Sequence, residues 1–162
     1  MATYKQLLSV SGFIIGEEFI GDDTCAMVLG DDIFYGGGLS RFLNTAVENA
    51  ENGLAIIFGY YVNDPERFGI MEFDKDMSII SVEEKTQKPK SNYCITGSYF
   101  YPNGVAQKAK DVKPFARGEL EITTLNDMYL QDKKLKAQVL GRGFAWLDIG
   151  TMDGLVEVTE FV

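Results

Sequence analysis

Two short apolar runs, TCAMVL at 24–29 and LAIIFGYYV at 54–62, flank LSRFLNTAVENAENG at 39–53, whose apolar residues recur every three or four positions. This spacing limits the possible folds more than any other feature of the chain. Apolar runs without alternation read as strands covered on both faces, and the segment between them reads as a helix with one apolar stripe. Ser40 is the candidate N-cap of that helix and Gly53 its C-terminal stop. FIIGEEFI at 13–20 predicts a further helix before the first strand, ending near Gly21. The order helix, strand, helix, strand predicts a parallel sheet with crossover helices.

The pattern then changes. GIMEFD (69–74) and SIISVEEK (78–85) flank Lys75-Asp76-Met77 and predict a hairpin. SNYCITGSYFYP (91–102) predicts an aromatic-rich strand, VAQKAKDV (105–112) a helix, and LEITTLNDMYLQD (120–132) another helix. KAQVLG (136–141) and FAWLDIG (144–150) predict strands, and GLVEVTEFV a closing helix. The fold class that follows is α/β, a Rossmann-like sheet of mixed parallel and antiparallel strands with flanking helices. At 162 residues the chain fits one domain, 1–162, with no repeat, low-complexity tract or long linker.

The formal net charge of −9 argues against a nucleic-acid partner, which would need a basic face. No apolar run reaches the roughly 18 residues of a membrane span, and MATYKQLLSV does not resemble a signal peptide. Cys25 and Cys94 sit in apolar surroundings and read as reduced core residues of a cytoplasmic protein. The sequence has no histidine, so Ser-His-Asp and Cys-His nucleophile systems are excluded, as are His-ligated zinc sites. Any metal must be held by oxygens, which points to magnesium, manganese or calcium.

Four places carry candidate chemistry. In VLGDD and FAWLDIG an aspartate, Asp31 or Asp148, lies just past an apolar strand. Ligands bind at the carboxyl edge of open α/β sheets. Two such aspartates either face each other to hold a hard cation or merely cap turns. In SVEEK, alternation turns Glu84 away from Glu83 and Lys85. A glutamate there can hold sugar hydroxyls and a lysine can meet a phosphate, although a solvated charge run has the same spacing. Arg117, in a loop before a helix, can grip a phosphate bidentately or simply precede the helix. Trp146 and the cluster Tyr99, Phe100, Tyr101 read first as packing. Gly36-Gly37-Gly38 matches neither a Walker A loop nor G-x-G-x-x-G and reads as a turn into a helix starting near Leu39.

Taken in order, VLGDDIFYGGGL, PERFGIMEFD, SVEEK, NYCITGSYFYP, ARGELEIT and GRGFAWLDIGTMDGLVE resemble sugar nucleotidyltransferases of the glucose-1-phosphate thymidylyltransferase type, from about Phe13 to Val162. The resemblance implies that a glucose 1-phosphate oxygen attacks the α-phosphorus of dTTP, forming dTDP-glucose for rhamnose synthesis and releasing pyrophosphate. It implies Mg2+ held by Asp31 and Asp148. It implies sugar contacts from Asp32, the Gly69 backbone, Glu84 and the Ile95 backbone, a phosphate grip from Lys85 and Arg117, and a pocket wall at Trp146.

The chain departs from that pattern at Asp32, where the family has an amide, and at Thr86, Ser98 and Ile149. The family's Gly-x-Gly-Thr-Arg-Leu loop, which cradles the triphosphate, has no counterpart. Tyr4-Lys5-Gln6-Leu7-Leu8 resembles an element that follows that loop, and here it nearly abuts Phe13, so 1–12 is an atypical start. The expectation is a truncated nucleotidyltransferase-like domain with impaired activity. Edges left open by the absent strands predict a homo-oligomer.

Overall fold

The computed structural model describes residues 4–113 and 120–150, with side chains from Val10 onward. Arg117 and the closing helix expected over 154–162 therefore lie outside the described residues. The elements are α1 (Tyr4–Ile15), α2 (Glu17–Ile20), β1 (Cys25–Val28), β2 (Asp32–Gly36), α3 (Leu39–Glu51) and β3 (Ala55–Tyr61). A 3-10 turn at Pro65–Arg67 leads into β4 (Gly69–Phe73), β5 (Ile79–Glu84) and β6 (Tyr93–Tyr101). They are followed by α4 (Val105–Lys110), α5 (Ile122–Gln131), β7 (Leu135–Val139) and β8 (Phe144–Asp148).

The expected α/β class holds, and the sheet is indeed mixed. Its strand order is β5-β4-β6-β3-β7, with β1 also on β6. The simple parallel order expected for the first half does not hold. Among the described residues only β3 and β7 pair in parallel; β1 and β3 both run antiparallel to β6. The helical crossover from β1 to β3 is present and the two strands point the same way, but β6 is inserted between them. Neighbours in sequence cannot report a strand that arrives later in the chain.

Three further corrections share one cause, local tertiary context overriding local pattern. β1 is not covered on both faces: its burial alternates and Val28 is 57% exposed, and among the described residues its one strand partner is β6. The helix over 13–20 breaks at Gly16 and extends back to Tyr4. α3 is preceded by Gly38 in the left-handed region (φ 83°), so Gly38 and not Ser40 is its cap. Glycine is the residue that adopts this conformation without penalty.

Alternation along β3 divides the core between two faces. Ala55 and Ile57 pack with Val10 and Phe13 of α1, Val105 and Ala109 of α4, and Leu125 and Tyr129 of α5. Ile56 and Phe58 pack with Ala46 and Ala50 of α3, and with Phe100 and Leu140. The result is helices on both faces of a twisted mixed sheet. Tyr101 is fully buried in the first layer, edge-on to Phe13 at 5.2 Å, and donates to Asn126 Oδ1 at 2.6 Å.

The element not expected from the sequence is β2. It pairs antiparallel with β8 in a separate two-stranded ribbon, with Asp32 opposite Asp148 and Phe34 opposite Trp146. Gly36 ends β2 where a Cβ would stand 2.3 Å from the Phe144 ring, so close packing requires glycine there.

Candidate active site

β1 and β4 occupy successive stretches of the same edge of β6. β1 covers Ser98 to Tyr101, and β4 meets β6 at Cys94. Between them the edge opens, and the Leu29 N–H reaches the Gly97 carbonyl at 2.8 Å. A cavity of about 180 Å3 opens there, well above the roughly 10–15 Å3 that one water needs.

The cavity gathers the residues singled out from sequence. Asp31, Asp32, Gly69, Glu84, Lys85, Ile95, Trp146 and Asp148 all line it. Arg117 is outside the described residues. None of Gly36, Gly37 and Gly38 lines the cavity, and Gly37-Gly38 turns the chain into α3 as expected.

The ribbon delivers the aspartates. Asp31 immediately precedes β2 and Asp148 ends β8; the Ile149 N–H donates to the Asp31 carbonyl at 2.8 Å. The aspartates therefore meet through an antiparallel ribbon, not along a parallel sheet edge as the sequence had implied. Asp148 also accepts the Gly150 N–H at 2.7 Å, so its turn-capping role is present as well. Among the described residues, no three acidic or cysteine side chains form a metal cage. Two carboxylates facing one cavity match what magnesium takes when substrate oxygens and waters complete its shell.

The hairpin delivers Gly69, Glu84 and Lys85 to the cavity. Gly69 lies opposite Glu84, the last residue of β5. Glu84 accepts a short hydrogen bond from the Thr123 hydroxyl at the start of α5. Lys85 adopts φ 38°, uncommon for a residue with a side chain, while its N–H holds the Phe68 carbonyl at 3.1 Å. Its ammonium is 4.0 Å from Glu84 Oε1. Glu83, by contrast, points away and pairs with Lys90 at 2.5 Å.

The apolar wall is Trp146, edge-on to Phe68 at 5.2 Å, with Ile95 also on the cavity surface. Tyr99 also lines the cavity; burial, then Glu84 and Asp32, push its hydroxyl far above the usual range, so it stays a neutral phenol. The sequence reads Tyr99 as packing and does not single out Arg67, Gly97, Glu121 or Thr123, yet all five line the cavity. Their signal was adjacency: Arg67 precedes Gly69 in PERFG, and Glu121 and Thr123 lie in ELEIT.

Charge bears on ligand class. Asp31, Asp32, Glu84, Glu121 and Asp148 line the cavity against Arg67 and Lys85 among the described residues. A sugar phosphate entering such a field needs added positive charge, which a divalent cation supplies.

The sequence profile described as Nucleotidyl transferase matches residues 5–162. A glucose-1-phosphate thymidylyltransferase from Neisseria gonorrhoeae is 53% identical over 150 residues, 93% of this chain and 51% of that protein. One from Mycobacterium tuberculosis is 46% identical over the same shares. The chain spans about half the length of the curated relatives it matches. A Bacillus anthracis crystal structure, described as a glucose-1-phosphate thymidylyltransferase in complex with a sucrose, superposes with TM-score 0.79 at 34% identity. That match covers 94% of this chain and 59% of that one. A UDP-glucose pyrophosphorylase complexed with UDP-glucose has TM-score 0.81 at 18% identity, which bears on the fold alone.

Proposed function

Because the chain belongs to the nucleotidyl transferase family, we propose that its cavity is the sugar-phosphate half of a nucleotidyltransferase site. The substrates are glucose 1-phosphate and a nucleoside triphosphate, dTTP by resemblance to the thymidylyltransferases. The observation that carries the reading is the convergence of Asp31, Gly69, Glu84, Lys85, Ile95, Trp146 and Asp148 on one cavity.

In the proposed reaction an oxygen of glucose 1-phosphate attacks the α-phosphorus of the triphosphate. The bond from that phosphorus to the oxygen bridging to the β-phosphate breaks, and pyrophosphate leaves. The chain contributes position and charge, not a covalent nucleophile. Glu84 and the Gly69 and Ile95 backbones hold sugar hydroxyls. Thr123 steers the Glu84 carboxylate by donating to it. Lys85 and Arg117 take the sugar phosphate. Asp31 and Asp148 would hold Mg2+, which when bound neutralises phosphate charge.

Pyrophosphate release from dTTP, glucose 1-phosphate and Mg2+ tests this reading. Turnover that depends on all three supports it; none, together with no glucose 1-phosphate binding by the folded chain, overturns it. A second reading is a sugar-phosphate-binding module without turnover, favoured by the proposed sugar contacts Gly69, Glu84 and Ile95 lying together on one described cavity. Calorimetric binding without turnover would identify it. Self-association belongs to the same proposal, supported by an edge of β1 that no described strand pairs with and by Phe19, 95% exposed. A monomer in light scattering would count against it. No described helix is long and apolar enough to cross a membrane. A cytoplasmic setting, without membrane or nucleic-acid partners, rests on the free Cys25 and Cys94 and the acidic balance.

A further inference from the structure

Asp32 has a geometry that the proposed reaction does not use. Its Oδ1 accepts the Trp146 indole N–H at 2.7 Å, diagonally across the β2–β8 ribbon. Its Oδ2 points at β6, where a Cβ on Gly97 would stand 1.9 Å away. Glycine at 97 therefore opens the space that the carboxylate occupies. The indole held by that carboxylate is 9% exposed and braced by Phe68 at 5.2 Å and Tyr60 at 6.0 Å.

We infer that Asp32 is a positioning residue: seated in the space left by Gly97, it fixes the Trp146 ring as the apolar wall against which the sugar packs. Two aromatic neighbours define the ring's faces and edge but leave it free to pivot in its own plane. The acceptor at Nε1 removes that freedom. A buried indole N–H also demands an acceptor, and a charged one is the stronger partner. An asparagine carbonyl oxygen could make the same bond, so the departure at Asp32 preserves the acceptor while adding charge.

The sugar-packing part of this inference rests on the proposed function; the Asp32–Trp146 coupling does not. Trp146 is the sole tryptophan, so the protein has one indole N–H resonance. In the wild type that resonance is expected downfield and protected from solvent exchange. Asp32→Asn should keep both properties. Asp32→Leu, and independently Gly97→Ala, which expels the carboxylate without removing it, should shift the resonance upfield and speed its exchange at least about tenfold. Circular dichroism reports whether each variant folds, and unchanged indole behaviour in a folded Asp32→Leu overturns the inference. If Asp32→Leu fails to fold, Gly97→Ala and Asp32→Asn decide.

Glucose 1-phosphate affinity then separates positioning from direct contact. Asp32→Leu should weaken binding about tenfold in the wild type and have no further effect in a Trp146→Phe background. Additive losses would make Asp32 a direct sugar ligand and overturn the positioning role. If the wild type binds no glucose 1-phosphate, the proposed function fails, while the indole resonance still decides the coupling.

Discussion

Replacing Gly69 by alanine separates the cavity's chemistry from the fold that carries it. An ideal Cβ there would stand 3.2 Å from Glu84 Oε2, 3.2 Å from Thr123 Oγ1 and 3.6 Å from Ile95 Cδ1. Gly69 has no positive φ, so alanine meets no backbone strain, only this crowding. The methyl lands between the two partners of the Glu84–Thr123 hydrogen bond. One must retreat by a few tenths of an ångström, and Glu84, the longer side chain, yields more readily. Folding stability should change by less than about 1 kcal/mol, because the site is half-open and strand-terminal. If Glu84 thereby loses its grip on a sugar hydroxyl, the loss is that of a hydrogen bond to a charged group, about 1.5–3 kcal/mol. That corresponds to roughly 10- to 150-fold in Kd. Titration calorimetry with glucose 1-phosphate, beside a thermal melt, measures both. An unchanged melt with Kd within about twofold of wild type would refute the placement of Glu84 against the sugar.

Asp148→Asn should abolish Mg2+-dependent enhancement of glucose 1-phosphate binding while leaving the metal-free protein as stable or up to about 1 kcal/mol more so. The substitution removes one of two carboxylates facing each other at Asp32 and Asp148, and the amide oxygen can still accept the Gly150 N–H; denaturant melts with and without Mg2+ check it. Tyr101→Phe should cost about 1–3 kcal/mol, because it orphans Asn126 Oδ1 beside an Nδ2 that already lacks a partner among the described residues. Adding Asn126→Leu should recover much of that loss in chemical denaturation. Burial raises the Cys94 thiol from 9.0 to about 12. Its stabilising contribution is therefore complete below pH 9 and declines as pH rises toward 12, by about 1.4 kcal/mol per unit. Cys94→Ala should flatten the fall in stability between pH 9 and 11.

The elements were largely readable because their signals are local. The hairpin pairing Gly69 with Glu84 follows from two alternating runs around Lys75-Asp76-Met77. α3 and β3 follow from apolar spacing and a stop at Gly53. The arrangement was less legible, because the position of β6 between β1 and β3 depends on contacts between residues far apart in sequence. β2 was missed because Asp32-Ile33-Phe34-Tyr35-Gly36 begins with a carboxylate and ends in glycines, which masks a short alternating strand. Asp31 and Asp148 line one cavity, but the signal that linked them was incomplete: each follows apolar residues, whereas a ribbon brings them together. Trp146 reads as packing from the residues and as a pocket wall from the family resemblance, and the fold shows it buried and lining the cavity.

The sharing of one β6 edge by β1 and β4 makes the cavity adjustable like a caliper. One jaw, carrying Asp31, follows β1; the other, carrying Gly69 and Glu84, is the β4–β5 hairpin. Sliding β1 by two residues along β6 would keep every side chain on its face yet move that jaw by roughly 6.6 Å. Changes confined to the loops around β1 can therefore reset the span between the Asp31 jaw and the Glu84 jaw, at the cost of reseating Cys25 and Met27 against the helices behind the sheet.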